Sequence, residues 1–570
     1  MNTLKTIIPG MILSIVLLSC QETVTQVETT KSPPPNILWL VAEDLSPILP
    51  PFGDSTIVTP NISRLAAEGV RYTHLFSTSG VCAPSRAAIA TGMYPSSIGA
   101  NHMRTSSYPE VTGLPVYEAI PPAEVKMMSQ ILRENGYYCT NNSKNDYQFK
   151  APNTAWNENG NYAHWRNRKE DQPFFAIFNF NTTHESGLFE PYGYKKNEMR
   201  HYQAGDTSFK ASEWNDRVTE ENMPKHVAKD IDFPIPPYLP DNEIVRRDMW
   251  KVYNNIAEMD RQVGAILKQL EADGLLENTI IFFYGDHGGP MPRQKRLIYE
   301  SGLKSPLIVR YPDEKGKMEI DPQLISFVDF APTVLNLAGI PVPTYLQGQD
   351  FMDDNQRTYV HAAADRFDGF TDAIRAVRDD RFRLIKNYRP EQGYYLPVEY
   401  RERIPTMQEL LKMRDAGTLN EIQAQWFRES KPEYELFDLE NDPHELNNLI
   451  DDPTYSDRVE QLKVELDKWL EDIGDVPNLP ERQLIENLWN GEEAQPKTAD
   501  PILTVNASTV TITCNTAGAN IGYKLIDNDG NELKEWSIYT DPVELAPGEK
   551  IKVIAHRIGY QRSNEILQEI

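Results

Sequence analysis

An α/β fold is the class this sequence predicts: a mostly parallel sheet covered by helices, with a smaller all-β domain behind it. Three observations predict it. Several long apolar runs end abruptly at polar residues, as strands buried on both faces do. Stretches with helical spacing lie between those runs, the alternation of an α/β domain. Beyond residue 501 the apolar period shortens to two, the signature of half-buried strands.

The elements follow in order. Lys5 precedes a mostly apolar stretch from Ile7 to Leu18, too short to span a bilayer and placed as a targeting segment is. It ends Leu17-Leu18-Ser19-Cys20, which resembles the lipobox of bacterial lipoproteins. That resemblance implies lipidation of Cys20 and attachment to the cell envelope, outer membrane or periplasmic face, through the lipid alone; a plain secretory signal is the other reading. Residues 20–34, ending Pro33-Pro34, read as an extended tether.

Asn36–Ala42 is the first buried-strand run and stops at Glu43-Asp44. Helical spacing follows over Ser63–Gly69 and Met127–Glu134. Phe174–Phe180 is a second strand, ending near Thr183-His184. Met249–Asp273 is a long amphipathic helix stopped by Gly274. Thr279–Tyr284 is a third strand, running into Asp286-His287, and Leu307–Arg310 a shorter one. Asp329–Ala338 reads as a helix with Gly339 as its stop. Ligands in such sheets bind outside the carboxyl ends of the strands. Glu43, Asp44, His184, Asp286 and His287 all fall at such ends. Residues 487–500 are a polar linker, and the runs 503–505, 510–513, 521–524 and 551–555 form a small β-sandwich over residues 501–570.

Composition limits function. Hydrophobic content of 40% and charged content of 25% are those of a globular protein. The formal net charge of -26, with no basic stretch, argues against a nucleic-acid partner. An anionic substrate must then be held by local positive charge or by a metal. Of the four cysteines, Cys139 and Cys514 fall in different predicted domains, so no disulfide framework is expected.

The segment Gly80-Val81-Cys82-Ala83-Pro84-Ser85-Arg86-Ala87-Ala88-Ile89-Ala90-Thr91-Gly92 resembles the signature of type I sulfatases. In that family a sulfatase-maturating enzyme converts the cysteine to formylglycine. The resemblance implies that Cys82 becomes an aldehyde whose hydrate carries two hydroxyls, one to attack sulfur and one to expel sulfate. It also implies an alkaline-phosphatase-like catalytic domain over 35–400. Tyr434–Glu445, followed by a helix over Tyr455–Leu470, resembles the family's smaller C-terminal subdomain, assigned to 401–486.

Sulfuryl transfer is mostly positioning and charge stabilisation. Glu43, Asp44 and Asp286 match the family's metal-binding carboxylates, for which a divalent calcium ion is the implied cofactor. His287, beside them, is a further ligand or a hydrogen-bond donor to sulfate, and the matured residue 82 completes the set. Arg86 faces the nucleophile. Lys144 and Lys295 match sulfate-binding lysines, with Arg296 able to exchange roles with Lys295. His184 matches the histidine that protonates the leaving alcohol. Many relatives carry histidine where Asp146 stands, which leaves the base of the elimination step open; His102 is a substitute.

The spellings Ala42–Pro47, Ser143–Tyr147, Thr183–Ser186 and Ala364-Asp365-Arg366-Phe367-Asp368 resemble the branch of heparan N-sulfatases and bacterial ulvan-active enzymes. Asp365, Arg366 and Asp368 are expected on the pocket rim, reading sugar hydroxyls or a uronate, with His164, Trp165 and Arg166 as weaker candidates. The resemblance implies hydrolysis of sulfate from an algal polysaccharide such as ulvan, with N-sulfoglucosamine as the alternative. A zinc-dependent phosphatase of the same superfamily, and a glycan-binding lipoprotein without catalysis, are the rival classes.

Overall fold

The computed structural model describes residues 34–106, 108–195 and 217–569. The expected signal peptide, the lipid site at Cys20 and the tether through residue 33 lie outside them. From Pro35 onward the chain is one compact unit.

The apolar runs become the centre of an eight-stranded sheet. Its strands are β1 (Asn36–Ala42), β2 (Val70–Phe76), β3 (Tyr138–Asn142), β4 (Glu158–Asn159), β5 (Phe174–Phe180), β6 (Thr279–Gly285), β7 (Lys304–Arg310) and β8 (Glu319–Ser326). Their spatial order is β8-β2-β7-β6-β1-β5-β3-β4. Every residue of β1, β5 and β6 is buried, which is why these runs are continuous rather than alternating. β7 is antiparallel to both neighbours, β2 and β6; the other pairs are parallel.

Alternate residues of β1 enter opposite apolar layers. Leu38 and Leu40 join the layer of the helices α1 (Pro60–Glu68) and α4 (Glu243–Ala272). Ile37, Trp39 and Val41 face α2 (Cys82–Thr91), α3 (Met128–Glu134) and α5 (Phe330–Leu337). Helix α4 begins six residues before the predicted start at Met249, because Asn242 caps it by accepting from the Val245 amide (3.1 Å). Ile244 and Val245 lie in its first turn, but Arg246-Arg247-Asp248 interrupt the apolar pattern before Met249.

A second sheet is antiparallel: β9 (Val360–Ala364), β10 (Ile374–Arg378), β11 (Phe382–Asn387) and β12 (Tyr434–Asp438), with α6 (Ser456–Ile473) packed on it. The expected division at 400/401 therefore falls inside this sheet. Its early strands escape a periodicity reading because buried arginines interrupt them. Arg375 is paired with Asp475 and Asp365, and Arg383 with Glu300 and Glu445.

Helix α7 (Glu481–Leu488) leads to the C-terminal sandwich. One sheet holds β13 (Ile502–Asn506), β14 (Thr509–Thr513) and β17 (Val543–Glu544). The other holds β15 (Asn520–Ile526), β16 (Ser537–Ile538), β18 (Lys550–His556) and β19 (Ile566–Glu569). Val510, Ile512, Ile551 and Val553 fill the space between. The sandwich docks on the α/β body. Arg133 donates to the Trp536 carbonyl (2.8 Å) and Asn157 to the Glu535 carboxylate (2.7 Å). Gly518 adopts φ +75° and approaches so closely that a Cβ would lie 2.1 Å from the Ala123 carbonyl oxygen.

Candidate active site

Register places the site. Ala42, the last residue of β1, pairs with Phe180 of β5 and Gly285 of β6. The three strands thus stop at one level, and Glu43-Asp44, Thr183-His184 and Asp286-His287 emerge side by side. Backbone bonds continue past the strands: the Glu43 amide donates to Phe180 and the Asp286 amide to Ala42.

Helix α2 points its first turn at this edge. Cys82 opens it, 2% exposed, and Val81 before it is extended. The Cys82 Sγ lies 3.4 Å from His287 Nε2, 3.8 Å from Glu43 Oε2 and 3.9 Å from Asp44 Oδ1. The small residues Ala83, Ala87 and Ala88 let the helix sit against the sheet without exposure. Ser85 Oγ donates to the Asp286 carbonyl. Arg86, one turn on, donates to Glu43 (2.7 Å), Asp286 (3.0 Å) and Asn179 (2.7 Å).

The lysines arrive from two other segments. Lys144, past the end of β3, reaches Glu43 Oε2 at 2.5 Å. Lys295 contacts both Asp44 oxygens (2.7 and 2.8 Å) and lies 3.1 Å from His184 Nε2. Its loop is pinned to the start of α2 because the Arg296 amide donates to the Gly80 carbonyl (2.6 Å). Residue 80 must be glycine here: a Cβ would stand 2.3 Å from the Leu297 carbonyl oxygen. His184 Nδ1 accepts from the Ser186 amide (3.2 Å), so Nε2 is the ring atom that faces the site.

The charges hold one another. Burial works against ionisation of Asp44, but Lys295, His184 and His287 outweigh it and hold its carboxyl well below the usual range. Burial likewise opposes a charged His287, yet Asp286 and Asp44 push its pKa up to about 10. Burial raises the Cys82 thiol, and the charges of Lys144 and Lys295 more than reverse that. The donor atoms of Asp44, Cys82, Asp286 and His287 lie within 4.8 Å of one another, as do those of Glu43, Asp44, Cys82 and His184.

Of the residues singled out from sequence, Glu43, Asp44, Cys82, Arg86, Lys144, His184, Asp286, His287 and Lys295 are brought together. Asp146 stands at the edge, its carboxylate 3.7 Å from Lys144 Nζ. Others are not part of the cluster. Arg296 does not exchange with Lys295; its guanidinium is engaged by both oxygens of buried Glu185 (2.8 and 2.9 Å). His102 accepts from the Arg366 amide, and Arg366 is paired with Glu481. Asp365 binds Arg375 and Asn101. His102, Asp365 and Arg366 line a separate polar cavity of about 560 Å³ that contains none of the residues around Cys82. His164 packs on Trp165 (4.0 Å between centroids), and Trp165 and Arg166 both donate to Asp273. These three side chains are committed to the scaffold.

Three neighbours of the site escaped the sequence. Asn179 carried a weak signal, a single amide inside the run Phe174–Phe180. Glu185 stood inside the spelling Thr183–Ser186 with no role assigned, and Arg104 carried no signal, because only the fold brings them near residues 296 and 368.

Residues 35–167 and 160–340 match the sulfatase family, and residues 287–429 match the family described as N-sulphoglucosamine sulphohydrolase, C-terminal. An "Ulvan-active sulfatase" of Formosa agariphila is 61% identical over 540 residues, covering 93% of this chain and 91% of the relative. The human N-sulphoglucosamine sulphohydrolase is 24% identical over 478 residues, 76% of this chain and 90% of that one. A solved structure described as in complex with its substrate D-glucosamine-2-N,6-O-disulfate covers 79% of this chain and all of its own at TM-score 0.53 and 19% identity, a likeness of fold. Matched over more than half its length and 61% identical to one member along nearly all of it, the chain belongs to the sulfatase family and is a sulfuric ester hydrolase.

Proposed function

We propose that this protein removes sulfate from ulvan or its oligosaccharides. The observation that carries the substrate is the 61% identity, along 93% of the chain, to an ulvan-active sulfatase. Formylglycine at position 82 supplies a geminal diol as nucleophile once it has been formed by a maturating enzyme. A divalent cation suits the donor set, because Asp44 shares one group of donors within 4.8 Å with Asp286 and an overlapping one with Glu43, and carboxylates offer hard oxygen ligands. Glu43, Asp44 and Asp286, with His287 in its neutral form, would hold it, calcium being the ion in our reading, and it would supply positive charge at the sulfate oxygens.

The chain's own groups do the rest. Arg86 fixes the Glu43 and Asp286 carboxylates in one orientation. Lys144 and Lys295 hold the sulfate oxygens from two sides and neutralise the charge that grows on them. As the imidazolium, His184 gives a proton from Nε2 to the departing sugar oxygen, while its Nδ1–H donates to the Ser186 hydroxyl 2.9 Å away and keeps Nε2 turned inward. Lipidation at Cys20 places the enzyme in the cell envelope, where a polysaccharide arrives from outside.

The match of residues 287–429 to the N-sulphoglucosamine sulphohydrolase C-terminal family supports a second reading, removal of N-sulfate from glucosamine. One experiment separates the two: release of inorganic sulfate from ulvan oligosaccharides and from N-sulfoglucosamine, comparing wild type with Cys82→Ala. Release from ulvan that Cys82→Ala abolishes, and that a chelator stops and calcium restores, is the expected result. Release from N-sulfoglucosamine alone rejects the ulvan reading. Equal release by both proteins rejects the nucleophile.

A further inference from the structure

Beside the residues that surround Cys82 stands a second group of polar side chains that the sulfate chemistry does not use. Arg104 and Asp368 face each other with Nε 3.8 Å from Oδ1. Arg104 keeps 42% of its side chain exposed, Asp368 15%, and Asp146 24%. Asp146 is tied to the sulfate site through Lys144, which also holds Glu43. Burial opposes the charge on Arg104, and the neighbouring charges of Asp146, Cys82 and Asp368 outweigh it, so all three act on its guanidinium.

This arrangement is built rather than incidental. Arg104 and Asp368 both sit in the left-handed backbone region, at φ +62° and +49°, a conformation that costs energy for residues other than glycine and clusters at functional sites. Their segments are clamped to one another. The Met103 amide donates to the Arg366 carbonyl (2.8 Å), and the Arg366 guanidinium donates back to the carbonyls of Met103 and Asp368. Phe367 and Phe370 exchange both backbone bonds at 2.9 Å, closing the turn that carries Asp368. The side chains are thus partly exposed on a backbone held by these bonds.

A guanidinium facing one carboxylate, with a second carboxylate acting on its charge, offers donors beside acceptors. Neighbouring sugar hydroxyls, each able to donate and accept, satisfy such a row. A second sulfate or a carboxylate on the same sugar does not, because it meets Asp146 and Asp368 as like charges. We propose that Asp146, Arg104 and Asp368 form a hydroxyl-reading rim that selects a sugar whose only charge is the sulfate being removed. This rests on the sulfatase reading and adds to it the class of sugar: monosulfated, with free hydroxyls beside the ester.

The test compares native sulfated oligosaccharides from an ulvan-type glycan with the same oligosaccharides chemically oversulfated. Wild type is expected to release sulfate from the native set with kcat/KM at least about tenfold higher, the cost of unpairing buried or charged hydrogen-bond partners. Arg104→Ala raises KM for the native set roughly tenfold and leaves kcat within about threefold, since it touches binding and not the transferred group. Asp368→Asn narrows the preference against the oversulfated set. Binding of the native set to Cys82→Ala, with and without Arg104→Ala, repeats the comparison without turnover. Equal use of both sets by wild type, or unchanged KM and binding in Arg104→Ala, overturns the rim. If no set yields sulfate in a manner dependent on Cys82, but binding still weakens in Arg104→Ala, the rim stands and the sulfatase reading of the site fails instead.

Discussion

Arg86 is the keystone whose removal has the most calculable effect. Its guanidinium is nearly fully buried and donates to three acceptors: Glu43 and Asp286, both fully buried carboxylates, and the Asn179 side chain. Arg86→Met keeps the apolar stem and deletes the donors. Asp286 then loses its guanidinium partner, and Glu43 is left with Lys144 alone. Breaking a buried ion pair by removing one side costs about 3–5 kcal/mol. With unfolding entropy of about 2 cal/mol/K per residue, the described unit loses roughly 3–4 °C in Tm for a cost of ~4 kcal/mol. The measurement is thermal unfolding by calorimetry in chelator. The double variant Arg86→Met/Glu43→Gln removes one of the stranded charges and recovers part of the loss, as coupled neighbours do. Sulfate release falls about 10- to 100-fold, the range for losing a group that orients metal-binding carboxylates. An Arg86→Met protein with Tm within about 1 °C of wild type and full activity would refute the reasoning, since surface-like behaviour is incompatible with the burial assigned to this residue.

Two further outcomes follow. Burial, helped by the neighbouring charge of Glu445 and opposed by a hydrogen bond from Asn387, pushes the Glu435 pKa up to about 8, against an ordinary value of 4.5. Its neutral form is the one the fold favours, so this contribution to stability is complete below pH 4.5 and is lost as pH rises toward about 8. Glu435→Gln should flatten the fall of Tm across that interval and leave Tm unchanged at its acid end; parallel Tm profiles for the two proteins would reject this. At the junction with the sandwich, Gly518→Val forces the Ala123 carbonyl away and strains a left-handed backbone position. Limited proteolysis should then cut faster in the 490–500 linker while the α/β body stays resistant, and an unchanged cleavage pattern would count against the docking described here.

Much of the fold was legible because its strands are buried on both faces. Asn36–Ala42, Phe174–Phe180 and Thr279–Gly285 need no partner to be recognised; continuous apolar character is enough. The four strands from Val360 to Asp438 were partly hidden because arginines and a histidine stand in them, and only buried acidic partners make them tolerable there. β7 reads like any other strand, and nothing local says that it runs against its neighbours. Direction is set by where the chain has to come from, here the loop that carries Lys295.

The sequence by itself determined the chemistry: a cysteine in a sulfatase signature, and acidic and histidine residues where buried strands end. Those features are local, since motif and strand end are each contained in a few consecutive residues. Only the tertiary structure decided which polar residues share a space. It turned His102, Asp365 and Arg366 toward Glu481 and Arg375, and locked Arg296 onto Glu185. It also brought Arg104 against Asp368, 264 positions away. A charged side chain carries no mark of its partner, so whether it holds the scaffold or meets a substrate depends on contacts that sequence spacing does not encode.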